Sequence, residues 1–381
     1  PMRPILPLAL LVCAGLAAEG PAVTWRGALW ATAAASNRDT PDGSLFLRTL
    51  DAGNGRLSVD GLQFGADVAL PEGFALRFTV LGGQTAKSLN GAAAAAGTPA
   101  SEASDLAWPE AMVTWTRGAE TLKFGRMYTP LGMEVLDGTQ NIAASRGLLF
   151  TYVLPFAQVG LNWHHAFSPS WSADLWVFNG EDKLQDNNRG KTAGLGVTYN
   201  HGGSPDTFVT AMAFTGPEQD GLGASANTGA EGRKRTRVSV SGQWILGRLT
   251  VQFEADAARE DLGPGALVGG GLRERASWNG AGAILKYALG GGWSLFGRGE
   301  AVNDDTGLRL GADVTLGAVL PATKGADLQA TSFALGVERR WKQASTRLEV
   351  RRDALNFKVH DASGQGFKDA LSATWSVGVS F

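Results

Sequence analysis

Along most of its length this chain alternates apolar and polar side chains residue by residue, in short segments separated by breakers. Successive side chains of a β-strand point to opposite faces, so a period of two selects strands that divide two unlike environments. The last segment shows it best. Leu371, Ala373, Trp375, Val377, Val379 and Phe381 form one face, and Ser372, Thr374, Ser376, Gly378 and Ser380 form the other. Leu62, Phe64, Ala66 and Val68 alternate with Gln63 and Asp67, and Phe74, Leu76, Phe78 and Val80 alternate with Ala75, Arg77 and Thr79. Val251, Phe253 and Ala255 alternate with Gln252, Glu254 and Asp256, and Leu348 and Val350 with Arg347, Glu349 and Arg351. Sixteen such strands are predicted, at 25–34, 59–70, 74–83, 108–117, 120–127, 156–166, 170–179, 191–201, 206–216, 234–246, 248–260, 273–289, 293–303, 331–341, 345–356 and 369–381.

The connections alternate in length. Short ones hold turn residues, as in Pro71-Glu72-Gly73, Ser168-Pro169-Ser170, Gly202-Gly203-Ser204-Pro205 and Gly290-Gly291-Gly292. Long ones, rich in Gly, Ala, Asp and Asn, occupy 84–107, 180–190, 217–233, 304–330 and 357–368. Tight turns at one end and long loops at the other belong to antiparallel barrels that cross a membrane, and strands of about 9–11 residues suit a tilted crossing. Only a closed barrel leaves no unpaired strand edge in lipid. The predicted fold is therefore all-β: one closed antiparallel transmembrane β-barrel of about sixteen strands, within a range of 14–18, with both termini on the periplasmic side.

Composition agrees with a barrel. Charged residues make up 18% of 381 and Gly 52 residues, yet mean hydropathy is −0.05, so apolar residues must be interspersed with polar ones. No run approaches the roughly 18 apolar residues of a membrane-spanning helix. The block Ile5 to Ala17, preceded by Arg3 and ending in small residues, has the anatomy of a cleavable export signal, which predicts a leader at 1–18 and a barrel domain at 19–381. Cys13 is the one cysteine and falls in the leader, so no disulfide is expected; a lipoprotein reading of Leu10-Leu11-Val12-Cys13 is disfavoured by the Val before the cysteine. Removing the leader shifts the formal charge from −2 to −3, a balance that argues against a nucleic-acid partner. A soluble β-sandwich also alternates, but Trp25, Trp30, Trp108, Trp115, Trp163, Trp171, Trp244, Trp293, Trp341 and Trp375 lie near predicted strand ends, as interfacial girdles do.

One connection is unlike the others. Gly125 to Gly160 shows neither periodicity through its middle and carries Met127, Tyr128, Leu131, Met133, Val135, Leu148, Leu149, Phe150, Tyr152 and Phe156. A stretch this long is functional or disordered, and this one is too apolar for a solvated coil. It needs a surface to pack on, and the inside of the barrel is the simplest one.

Gly125-Arg126, Thr129 to Val135, Asn141, Ser145-Arg146, Leu149-Phe150, Pro155-Phe156 and Gly160 resemble the signature of the β-barrel porin-2 (OmpL-like) family. Val177-Phe178-Asn179-Gly180 and Asp186 to Thr192 are similar to a second segment of that family, while Ala157-Gln158 departs from its usual Thr-His. The resemblance implies an outer-membrane porin passing small hydrophilic solutes or ions, with no cofactor. By analogy with sixteen-stranded general porins, the third long loop, 128–155, would fold inward, and Glu134, Asp137 and Arg146 would face pore water as the constriction.

The lumen-wall candidates are Arg77, Lys123, Arg298, Arg347 and Arg351, with Glu254, Asp256, Glu300 and Glu349 of opposite sign, because charges at bilayer depth are tolerated only toward water. The terminal face of Trp375, Val377, Val379 and Phe381 resembles the signal read by the barrel-assembly machinery. Outer-membrane lipids and lipopolysaccharide are the expected surroundings, and a homotrimer is compatible with the pattern. Asp182, Asp186, Asn187 and Asn188 could offer oxygens to a hard cation, but such residues more often build turns, so no metal is assigned. His164, His165, His201 and His360 have no zinc spacing, and no Ser, His and Asp spacing selects a hydrolase, so no enzyme is expected. The alternative function is a structural or adhesive barrel that binds a surface partner through the loops at 84–107 and 217–233.

Overall fold

The computed structural model describes residues 21–51, 53–95, 105–219, 229–263, 267–268, 271–272, 274–311 and 327–381. The expected leader at 1–18, with Cys13, lies outside the described residues, as do parts of the loops at 84–107 and 217–233.

Sixteen antiparallel strands close into one barrel. The first eight are β1 (Ala22–Ser36), β2 (Arg56–Ala69), β3 (Phe74–Gly82), β4 (Leu106–Arg117), β5 (Glu120–Tyr128), β6 (Ala157–Ser168), β7 (Trp171–Phe178) and β8 (Thr192–Asn200). Then come β9 (Phe208–Pro217), β10 (Lys234–Leu246) and β11 (Leu249–Asp261), and after a small ribbon of β12 (Leu267–Val268) and β13 (Gly271–Leu272) the wall resumes. It finishes with β14 (Arg275–Gly290), β15 (Trp293–Asp304), β16 (Leu328–Arg340), β17 (Ala344–His360) and β18 (Gly366–Ser380). Helix α1 (Gln84–Ala95) occupies part of the connection after β3, which the sequence reading gives only as a long loop at 84–107.

Closure is made by β1 and β18, paired from Ala28 with Ser380 to Ser36 with Ser372. Beyond that register Gly27 and Phe381 exchange both backbone hydrogen bonds, at 3.1 and 2.9 Å. An open seam would leave each of these groups unpaired in hydrocarbon at several kcal/mol apiece. Leu62, Phe64, Leu348 and Val350 turn outward to the lipid side, while Gln63, Glu349 and Arg351 are buried within the barrel. The turns are built for tightness: Gly73 has a φ of +81°, and a Cβ there would lie 2.1 Å from the Thr116 carbonyl oxygen.

Six tryptophans of the expected girdles, Trp25, Trp108, Trp171, Trp293, Trp341 and Trp375, are exposed on the outer surface. Trp30 is not among them. It is 5% exposed and lies inside the barrel against Gly61 and Gly138, next to a register shift between Trp30 and Ala31 that strand periodicity does not reveal.

Much of the interior is filled. One apolar cluster joins Phe46 and Leu47 from the β1–β2 connection, Leu149, Tyr152 and Val153 from the β5–β6 connection, Leu310 after β15, and wall residues including Trp278 and Phe367. Each fully buried Leu or Phe contributes roughly 1.5–3 kcal/mol, so these connections are packed elements of the barrel. The inward course of the β1–β2 connection is absent from the sequence reading above, although Leu45-Phe46-Leu47 and Leu50 satisfy the apolarity criterion applied to residues 125–160. Arg48 anchors it, donating to Ser372 and Thr374 at 3.0 Å each and pairing with Asp51 at 2.6 Å.

Candidate functional site

The connection between β5 and β6 leaves the wall where the Thr129 N–H donates to the Phe156 carbonyl at 2.9 Å. Gly132 has a φ of +81°, and a Cβ there would meet Leu154 at 2.3 Å and the Glu254 carboxylate at 3.0 Å. That approach lets the Met133 N–H donate to Glu254 at 2.7 Å. Asn141 then closes a small loop by accepting from the Val135 N–H at 2.9 Å and donating to the Val135 carbonyl at 2.7 Å. Ser145-Arg146-Gly147 forms the docking tip, and a π-helical turn, Leu149–Val153, lays Leu149 against Gly280 and Gly282 of β14.

Charged wall residues hold this connection. Arg298 pairs with Glu134 at 2.9 Å and donates to the Ser145 carbonyl at 2.7 Å and the Ser145 hydroxyl at 2.9 Å. Glu300 accepts the Leu148 and Leu149 N–H groups at 3.1 and 3.2 Å. Glu349 accepts the Ala144 N–H at 2.9 Å and the Ser145 hydroxyl. Arg351 donates to the Ser145 hydroxyl at 3.0 Å and to the Arg146 carbonyl, and Arg347 to the Gly138 and Thr139 carbonyls at 3.3 and 3.2 Å. These partners sit on β11, β15 and β17, well round the barrel from β5 and β6, so the connection crosses the interior.

The three residues expected to face pore water do not. Glu134, Asp137 and Arg146 are 7, 6 and 7% exposed. Asp137 accepts from the Thr139 hydroxyl at 2.7 Å and from Gln140 at 2.9 Å, and Arg146 donates to the Leu136 carbonyl at 2.6 Å with its guanidinium over the Phe150 ring. Their polar groups find partners in the loop and wall because a buried charge left unpaired costs far more than one solvated in a lumen. Burial raises the Glu134 carboxyl above its ordinary range, with Arg298 drawing it back.

The nine wall candidates divide by position. Glu254, Arg298, Glu300, Arg347, Glu349 and Arg351 bond to the connection itself, as described. Asp256 acts one step back, holding Arg237 at 2.5 Å, which in turn donates to the Val153 carbonyl at 2.8 Å. Arg77 and Lys123 stand on the other side. Arg77 pairs with Asp67 at 2.6 Å, its side chain 42% exposed, and Asp67 also meets Arg26 at 3.0 Å. Lys123 is partly exposed and shares an inward register position with Asn162.

The oxygen-rich segment near residue 182 is occupied by loop building. Asp182 accepts the Phe156 and Ala157 N–H groups at 2.7 and 3.0 Å, Asp186 takes Lys191, and Asn188 donates to the Pro217 and Gln219 carbonyls at 3.2 Å each. Among the described residues no group of three or more His, Cys, Asp or Glu is placed to hold a metal. His164 lies 3.2 Å from Asp174 and His165 2.6 Å from Glu120.

Solved structures of the same architecture include the outer membrane channel DcaP of Acinetobacter baumannii, with a TM-score of 0.59 and 12% identity over 96% of this chain and 99% of that one. OmpF of Salmonella typhi, solved with daunomycin, gives 0.61 and 11% over 95% and 98%, and the trimer form of OmpT from Vibrio cholerae gives 0.56 and 13% over 95% and 100%. At such identities the likeness establishes the fold. No curated protein matches the chain by sequence. The family model described as "Putative beta-barrel porin-2, OmpL-like" matches residues 23–381, nearly all of the barrel. The chain therefore belongs to the OmpL-like porin-2 family, and it is an outer-membrane porin.

Proposed function

We propose that this porin is a passive diffusion channel for small hydrophilic solutes whose water path is one-sided. The ionic contacts of the β5–β6 connection go to β11, β15 and β17, while its Leu136, Phe150 and Phe156 share an apolar cluster with Ala28 and Trp30 of β1, Leu81 of β3 and Ala107 of β4; the path is assigned to the partly exposed charged stretch of wall on β1 to β5. Val135 and Gln140 are the exposed residues of the connection, and Arg26, Asp67, Arg77 and Lys123 are partly exposed on the wall. The observation that carries the reading is the contrast in exposure: the Arg77 side chain is 42% exposed, and that of Arg351, in the same lumen phase, 0%. Pore diameter and lining groups decide what passes, so size and the charges of the open wall discriminate among solutes. Diffusion down a gradient requires no cofactor and no catalytic residue. The short turns, which share an end with the termini, are assigned to the periplasm.

Planar-bilayer recording combined with liposome swelling in graded sugars tests this. Stepwise openings and a sharp size cutoff support it, whereas folded protein that neither conducts nor admits the smallest sugar overturns it. A trimer, the form recorded for one V. cholerae OmpT structure, would appear as openings in groups of three.

A further inference from the structure

A buried ionic cluster lies apart from the residues that dock the loop tip. Trp278 of β14, 1% exposed, has three guanidinium groups over its ring: Arg235 at 5.3 Å, Arg237 at 5.7 Å and Arg309 at 5.6 Å from the centroid. Two of them hold the π-helical turn. Arg237 donates to the Val153 carbonyl at 2.8 Å and Arg309 to the Tyr152 carbonyl at 2.6 Å, and the Trp278 indole N–H lies 3.4 Å from the same Val153 oxygen.

The carboxylates around them come from three parts of the chain. Glu181, from the β7–β8 connection, pairs with Arg237 at 2.7 Å and Arg235 at 2.6 Å. Glu260 and Asp256 of β11 take Arg235 at 2.7 Å and Arg237 at 2.5 Å. Glu218, just after β9, lies 3.9 Å from Arg235 and accepts the Glu181 N–H at 2.9 Å and the Thr192 hydroxyl of β8 at 2.7 Å. Asp182 is held by backbone N–H groups beside Glu181 and interacts electrostatically with Arg126 of β5. Three arginines thus meet five carboxylates in a largely buried space, and such an excess is relieved most directly by keeping a proton on one carboxylate.

We propose that this cluster is a proton-responsive latch: with Glu218 protonated it clamps the Leu149–Val153 turn and fixes the pore aperture, and on losing that proton it loosens the turn and widens the path. Arg237 and Arg309 are the positioning residues, since their guanidinium groups tie the turn's last two carbonyls to the cluster. The charge states fit this division. Burial alone would raise Glu181, but Arg237 and Arg235 outweigh it and bring it to about 2, so it stays ionised. Burial raises Glu218, Arg235 draws it back and Glu181 pushes it up again, leaving it at about 7. A carboxyl raised above its ordinary value stabilises the clamped state fully in acid, and that contribution is lost as pH rises through about 7.

The inference rests on the channel reading, and one experiment separates the two: single-channel recording of the full chain from pH 5 to pH 9. A channel whose conductance rises across a transition near pH 7 supports the latch. Glu218→Gln should conduct at the acid level throughout and show no transition. Thr192→Val removes a donor to the carboxylate and should move the transition upward by roughly one to two pH units, which keeps the test alive if the glutamine variant does not assemble. Asp67→Asn, on the open wall, should leave the transition in place. Openings that ignore pH in wild type, or a transition unchanged in both Glu218→Gln and Thr192→Val, overturn the latch and leave the pore standing. Absence of any conductance overturns the pore.

Discussion

The two sides of this lumen carry the same kinds of side chain in the same strand phase and use them differently. On β11, β15 and β17, Glu254, Arg298, Glu300, Arg347, Glu349 and Arg351 bond to backbone and side chains of the β5–β6 connection, and all but the partly exposed Glu254 are buried. On β1 to β5, Arg26, Asp67, Arg77 and Lys123 make their ion pairs within the wall or stand free of the connection. Charge at a lumen position therefore does not by itself identify a residue that meets solute. What decides is the side on which the inserted loop leans.

The largest effect should come from removing the leaning element. Deleting Leu136–Gly147 would hydrate the freed arginines and carboxylates of β15 and β17, and single-channel conductance should rise severalfold while the barrel remains heat-modifiable on gels. Unchanged conductance would mean that the path does not pass this segment. Next in size is Arg298→Ala, which strands Glu134 and frees the Ser145 carbonyl. Breaking a buried pair in this way costs about 3–5 kcal/mol, and hydrogen exchange across 133–149 should accelerate accordingly; protection equal to wild type would show that Arg298 does not dock the loop. Smaller again is Gly282→Val. A Cβ there lies 2.8 Å from Leu149 and from the Glu300 side chain, so a loss of about 1–3 kcal/mol from overpacking is expected, read as a lower melting temperature with ion selectivity unchanged. The smallest change in stability belongs to Arg77→Gln, an exposed pair contributing about 0–1 kcal/mol. Its effect should appear in selectivity, and a melting temperature shifted as far as that of Arg298→Ala would erase the distinction between the two walls.

The wall was legible in the sequence because the membrane imposes a period of two, and all sixteen strands are found within a few residues of their predicted ends. The girdle reading fails at Trp30, which keeps the inward phase of Ala28, Thr32 and Ala34 and so turns away from the membrane interface. The loop was legible in place but not in orientation. Glu134 finds Arg298 164 positions away, and Ser145 finds Glu349 204 away; no local pattern encodes such partners. The Trp278 cluster was hidden for the same reason, since Glu181, Glu218, Arg237 and Arg309 look like ordinary loop and wall charges until the barrel brings them together.

The most direct test is a reversal potential under a salt gradient for two paired neutralisations. Arg77→Gln with Lys123→Gln should shift the reversal potential toward greater cation preference, and Arg347→Gln with Arg351→Gln should leave it at the wild-type value while lowering stability. A shift confined to the second pair, with the first silent, would contradict a water path along β1 to β6.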